Sequence, residues 1–244
     1  MRYTPAEFMA TVIAREIGDG EMVAVGTLSP LPAMGAFLAR ETHAPRATII
    51  ILGSDDWFPL TGGSKEFHDL GQRGRFDLFF LSGAQIDQHG NINLTVIGTH
   101  QQPRVRLPGG AGSAVLYFMA RRIILFRPEH TRRTFVPRVD FITSPGSSPP
   151  RIFRPGGPSK VITPLATLRF NQEKRRLELA TLHPGVTLEE VEANTGFPLY
   201  PPSPVPTTPP PTPEELHVLR TRVRAEMERV YPAFARTAFL SATG

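Results

Sequence analysis

The stretch Leu81-Ser82-Gly83-Ala84-Gln85-Ile86-Asp87-Gln88-His89-Gly90-Asn91-Ile92-Asn93-Leu94-Thr95 decides how the rest of the chain is read. An apolar run from Phe76 to Leu81 leads into it. A second, Ile92 to Ile97, leads out to Gly98. Apolar runs bounded by small residues predict two buried strands, here with a polar, glycine-rich connection. The connection carries more polar groups than a turn needs. Gly90 and Asn91 can take positive φ, and Asp87 and Asn93 can tie the loop to its own backbone. A loop held by such side-chain turns and a binding loop are equally open readings, because sites are built on loops fixed between rigid strands.

The segments before this stretch set the architecture. Thr4-Pro5-Ala6-Glu7 is a capping box with proline at the first helical position. Phe8, Val12, Ile13 and Ile17 then recur at helical spacing until Gly18-Asp19-Gly20 stops the helix. Met22 to Val25 reads as a short strand, and Pro32 to Glu41 as a helix that buries Met34, Phe37 and Leu38. Between them, Gly26-Thr27-Leu28-Ser29 reads as a plain strand-to-helix turn in preference to an anion site. Ala47 to Leu52 is continuously apolar, as in a strand buried on both faces of a parallel sheet. The fold class predicted is α/β, an open, mostly parallel sheet with flanking helices. In such sheets ligands sit beyond the carboxyl ends of strands, which places a candidate site at Gly53-Ser54-Asp55-Asp56.

Composition narrows the function. The chain has 244 residues and no cysteine, so it makes no disulfide and offers no thiol chemistry. Hydrophobic residues make up 40 %, enough for a sizeable core. No apolar run is long enough to span a membrane, and no signal-peptide core is read at the start, so a cytoplasmic protein is expected. The net charge of +5 is mostly scattered arginine without interleaved aromatics. That pattern argues against nucleic acid and fits a phosphate-rich small molecule or an acidic partner. The histidines are dispersed, so no metal is expected.

Beyond the central stretch, Gly62-Gly63-Ser64-Lys65-Glu66-Phe67 reads as a loop feeding a short helix, with His68 on its surface. Pro103 to Ala114 is a proline- and glycine-rich loop, and a helix begins near Ser113. Its backbone N–H groups at Gly109 and Gly110 could hold an oxyanion. Arg122 to Phe126 is a strand. Arg127, Arg132, Arg133 and Arg138 follow, and could bind an acidic group or simply be solvated. Val161 to Phe170 and Leu177 to Leu182 predict a hairpin. Thr187-Leu188-Glu189-Glu190 opens a short helix that Gly196 ends. Residues 1–199 are expected to form the α/β domain. Residues 200–244 are expected to add a stiff proline-rich segment and a last helix striped by Leu216, Leu219, Val223, Met227 and Val230.

Gly83-Ala84-Gln85-Ile86-Asp87 followed by Gly90-Asn91-Ile92-Asn93 resembles the signature of the β subunit of class I CoA-transferases, glutaconate branch. Further matches follow in family order: Ala44-Pro45, Arg132-Arg133-Thr134-Phe135, Val139 to Gly146, His183-Pro184-Gly185-Val186 and Asn194-Thr195-Gly196-Phe197. The resemblance implies a partner α subunit in an α2β2 heterotetramer and an acyl-CoA substrate, with no cofactor beyond that CoA. It places Gly83, Gln85, Asn91 and Asn93 in CoA binding and the glycine-rich loop at the thioester. It also implies a nucleophilic glutamate at the end of the strand after Ala44-Pro45, where this chain has Leu52. Leu52, Ser54, Asp55, Gly109 and Gly110 are therefore the candidate catalytic positions. An apolar residue there suits the branch that decarboxylates 3-methylglutaconyl-CoA. The alternatives are a transferase using Asp55 or Asp56, a hydrolase that opens a cyclic acyl-CoA, and a subunit that only supports its partner.

Overall fold

The computed structural model describes residues 2–239. In chain order they form α1 (Pro5–Ala14), β1 (Met22–Val25), α2 (Pro30–Glu41), β2 (Thr48–Ile51), α3 (Gly63–Gln72), β3 (Leu78–Leu81), β4 (Gln85–Ile86), β5 (Ile92–Asn93), β6 (Val96–Gly98) and β7 (Pro103–Arg106). There follow α4 (Ser113–Met119), β8 (Arg122–Phe126), β9 (Pro158–Ile162), β10 (Ala166–Asn171), β11 (Arg176–Leu182) and α5 (Leu188–Asn194). The chain ends in α6 (Pro213–Val218), a π-helical turn over Leu219–Val223, α7 (Arg224–Val230) and α8 (Pro232–Ala238).

Two compact units result, 62–208 and the described residues before and after it. The division therefore falls near 208/209 and 61/62 instead of at 199/200, because the last helices pack on the first ones. Residues 240–244 of the expected tail lie outside the described residues.

In the first unit, β1 and β2 pair in parallel with Met22 opposite Thr48 and Val25 opposite Ile51. The predicted capping box forms: the Glu7 N–H donates to Thr4 Oγ1 at 3.0 Å, and the Thr4 N–H to Glu7 Oε2 at 2.8 Å. Glu7 is fully buried, and Arg220 Nε compensates its charge at 2.7 Å. The stripe Leu216, Leu219, Val223 and Met227 is buried and packs along α2, so this helix belongs to its own chain's core. Val230 is only half-buried.

In the second unit the strands lie in the order β11-β10-β9-β8-β3. β3/β8 and β8/β9 are parallel, and β9/β10/β11 form an antiparallel meander. The predicted Val161–Phe170 strand is thus the end of β9 and all of β10, turned at 163–165. The run from Ile92 to Ile97 is likewise broken into β5 and β6. Each piece makes its own small hairpin, β4 with β5 and β6 with β7. The expected fold class, a mostly parallel sheet with flanking helices, is the one observed. Gly196 stops no helix by positive φ. Its N–H donates to the Phe135 carbonyl at 2.8 Å, and a Cβ there would lie 2.6 Å from that oxygen.

Candidate functional site

The central stretch folds into a loop whose polar side chains bond to one another. Asp87 Oδ1 accepts the N–H groups of His89 and Asn91, at 3.0 and 3.2 Å, and Oδ2 accepts from Asn91 Nδ2 at 3.1 Å. Asn93 Oδ1 accepts from the Thr95 N–H at 2.9 Å, as the sequence predicts for a tied loop. Gly90 has φ of 68°, while Asn91 keeps negative φ. Gly83 is needed for space, since a Cβ would sit 2.9 Å from the Gln85 carbonyl oxygen.

The motifs that follow one another in the sequence meet around this loop. The Ile86 N–H donates to the Thr134 carbonyl at 2.7 Å, which docks 132–135 beside β4. The Asp140 N–H donates to Gln85 Oε1 at 2.9 Å, the Leu94 N–H to Thr143 Oγ1 at 2.8 Å, and the Gly146 N–H to Asn91 Oδ1 at 3.0 Å. Tyr117, buried in α4, donates its hydroxyl to the Gly90 carbonyl at 2.6 Å. Burial pushes the Tyr117 phenol far up, so it stays a neutral donor.

This arrangement bears on the expected CoA ligands. Gln85 and Asn93 are buried, and Asn93 Nδ2 donates to Gln85 Oε1 at 2.7 Å and to the Val96 carbonyl at 2.5 Å. Gln85 Nε2 donates to Asp140 Oδ2 at 3.1 Å. Both side-chain polar atoms of Asn91 are likewise engaged within the chain. These side chains build the loop.

The glycine-rich loop is anchored to the same framework. The Gly109 N–H donates to the Leu94 carbonyl at 2.8 Å, so the expected oxyanion donor at 109 is already committed. Gly109 has φ of 91° and Ala111 of 42°, a sharp reversal before α4. Among the described residues the N–H groups of Gly110, Ala111 and Gly112 carry no hydrogen bond. A side chain at Gly112 would take the space of the His68 imidazole, Nε2 first. His68, read from the sequence as a surface residue, is half-buried at this loop. Nothing in its own neighbourhood signals this, because α3 and Gly112 are brought together only by the fold.

In the first unit, Leu52 is the first residue past β2. Its N–H donates to the Val25 carbonyl at 3.0 Å, continuing the ladder that fixes the register. Gly53, at φ of 81°, turns the chain. Ser54 Oγ accepts the Trp57 N–H at 3.2 Å. Asp55 and Asp56 are exposed in that turn, and Asp56 lies 3.5 Å from Arg229 Nε. Leu52 thus stands at the end of β2, and both aspartates lie in the turn beyond it.

The arginines after β8 divide. Arg132 Nε donates to the Ala193 carbonyl at 2.8 Å, and Arg138 is exposed. Arg127 and Arg133 reach Glu129 at 2.8 and 3.3 Å. Burial pushes the Glu129 carboxyl up, but the hydrogen bonds from Arg127 and Arg133 outweigh it and hold it below the usual range. Both arginines line a half-open cavity of about 500 Å³ with Arg104, Ile97 and Val105. His130 and His183 are buried; Thr163 and Thr195 engage the first, Thr208 and the Thr163 carbonyl the second. No cluster of three or more His, Asp or Glu suited to a metal ion occurs among the described residues. No helix among them is long and apolar enough to cross a membrane.

Residues 52–194 match the family model described as coenzyme A transferase. One of the subunits of the 3-oxoadipate CoA-transferase of Pseudomonas knackmussii is 34 % identical over 243 residues, covering 89 % of this chain and 92 % of that protein. The crystal structure of glutaconate coenzyme A-transferase from Acidaminococcus fermentans superposes with a TM-score of 0.81 at 29 % identity, over 93 % of this chain and 96 % of that one. The decarboxylase AibA/AibB superposes with a TM-score of 0.77 at 28 % identity, over 98 % and 99 %.

Proposed function

This chain belongs to the coenzyme A transferase family, and we propose that it is the β subunit of a two-subunit acyl-CoA decarboxylase converting 3-methylglutaconyl-CoA to 3-methylcrotonyl-CoA. Overall similarity does not separate transferase from decarboxylase, since identity to the two solved structures is 29 % and 28 %. The observation that carries the reading is Leu52, an apolar residue held by the β1/β2 ladder at the strand end. A transferase needs a carboxylate there to attack the thioester and carry CoA. Leucine cannot attack, and Asp56 is engaged with Arg229.

The remaining chemistry is the loss of CO₂ from a conjugated thioester. The C–C bond to the carboxylate breaks, and its electron pair passes through the double bond to the thioester oxygen. Uncommitted N–H groups at 110–112 suit that developing charge, each preorganised donor being worth about 3–4 kcal/mol. In the other unit, Leu52 leaves the strand end without a group that could attack a thioester. Asp87, Asn91 and Asn93 keep the signature loop rigid. An α subunit completes the site in the proposed α2β2 assembly, and CoA enters only as part of the substrate.

The test co-purifies the chain with its α subunit and follows 3-methylglutaconyl-CoA by mass, with and without acetate. CO₂ loss independent of acetate is the expected outcome. Acetyl-CoA formed on adding acetate would make the protein a transferase, and a ring-opened acid released without CO₂ from a cyclic diketone acyl-CoA a hydrolase. Leu52→Glu should abolish decarboxylation and trap a glutamyl-CoA thioester.

A further inference from the structure

We infer that His68 is the proton carrier of this site, exchanging a proton between solvent and the acyl carbon furthest from the thioester. The inference rests on the proposed placement of the acyl-CoA thioester at the 109–112 loop.

Three observations support it. His68 stands on α3 with Nδ1 2.6 Å from the Ser64 carbonyl oxygen. A carbonyl only accepts, so Nδ1 carries hydrogen and the neutral ring is left with its lone pair on Nε2. That nitrogen is the part of the ring that meets Gly112, where even a methyl group would collide with it. Glycine at 112 is thus what lets an imidazole reach this loop. The ring is also braced edge-on by Phe67, with centroids 5.8 Å apart, while the residue keeps partial access to water. A tautomer held by a backbone carbonyl, a second nitrogen at the loop and solvent access are the requirements of a group that takes up and releases protons.

The other imidazoles of this unit are placed differently. His130 and His183 are buried with both ring nitrogens engaged, and burial pushes each down to about 4, so they stay neutral. His89 Nδ1 is bonded to the Arg175 carbonyl at 3.2 Å, and His100 stacks on Phe141.

The proton balance is simple. Departure of CO₂ leaves the electron pair on a dienolate. The Nε2–H of the imidazolium gives its proton to the terminal carbon, which becomes a methyl group of 3-methylcrotonyl-CoA. The neutral imidazole is reprotonated by water. In reverse, the Nε2 lone pair removes a methyl proton from 3-methylcrotonyl-CoA.

The reverse step tests His68 without relying on decarboxylation. The complex with its α subunit is incubated with 3-methylcrotonyl-CoA in D₂O, and deuterium entry into the methyl groups is followed. Wild type should exchange. His68→Ala should lose about 100-fold or more in exchange and in kcat, with KM nearly unchanged, and added imidazole should restore the rate in proportion to its concentration. His68→Gln, which keeps bulk at the loop, should be as slow as His68→Ala with an unaltered Tm. Exchange in His68→Ala equal to wild type, loss without imidazole rescue, or no exchange by wild type would each overturn the inference. Exchange by a wild-type complex that releases no CO₂ would overturn the proposed reaction and leave the role of His68 standing.

Discussion

Asn93→Ala separates a scaffold role from a ligand role for the signature loop. The Asn93 side chain is fully buried and makes four hydrogen bonds, to Gln85, to the N–H of Thr95 and to both the N–H and carbonyl of Val96. Gln85 Oε1 keeps a second partner in the Asp140 N–H at 2.9 Å, and Thr95 is half-exposed and can turn to water. Val96 is fully buried, so the loss falls mainly on its two backbone groups. A buried polar group left unpaired costs roughly 1–3 kcal/mol, which gives about 2–6 kcal/mol for the two. At roughly 2–4 °C per kcal/mol for a chain of this size, Tm should fall by about 4–24 °C. The assay is thermal unfolding of the purified complex beside steady-state kinetics on the acyl-CoA substrate below the transition. A Tm within a degree or two of wild type, together with a tenfold rise in KM, would refute the scaffold argument and return Asn93 to direct CoA binding.

Other expectations follow from single contacts. Tyr117→Phe leaves the Gly90 carbonyl without its 2.6 Å donor and should cost about 1–3 kcal/mol in urea unfolding, with the chain still folded. In Gly35→Ala the new Cβ would lie 2.8 Å from Ile13 Cβ and 2.9 Å from the Ala10 carbonyl oxygen. Forcing α1 and α2 apart costs about 1–3 kcal/mol, more than the roughly 0.5–1 kcal/mol gained in helix propensity, so the midpoint should drop. His130 and His183 are pushed down to about 4 from 6.5, mainly by burial. The folded rings therefore bind protons less readily than the unfolded ones. Their contribution, up to about 3 kcal/mol each, is full above pH 6.5 and is lost as the pH falls toward 4. Denaturant midpoints measured from pH 7 to 4 should decline steeply across that window, and a flat profile would contradict this placement.

The α/β class, the first capping box, the buried strand ending at Leu52 and the helical stripe from Leu216 to Met227 were all legible in the sequence. Each rests on spacing or on neighbours a few residues apart: a 3.6-residue period, a Thr-x-x-Glu pair, an unbroken apolar strand between turn residues. The tied loop was legible for the same reason, since Asp87 and Asn93 bond to backbone two to four residues away. The division into units was not, because the packing of Leu219 and Val223 along α2 joins the two ends of the chain. Neither was the inward commitment of Gln85 and Asn93, whose partners include Asp140 and Val96 as well as each other. A polar side chain in a loop has the same composition whether it faces a ligand or the chain itself, and only the long-range hydrogen bonds tell the two apart. His68 makes the same point from the other side. Its own helix marks it as a surface residue, and only the close approach of a glycine 44 positions later in the numbering, bare of side chain, brings it to the loop where the chemistry is proposed.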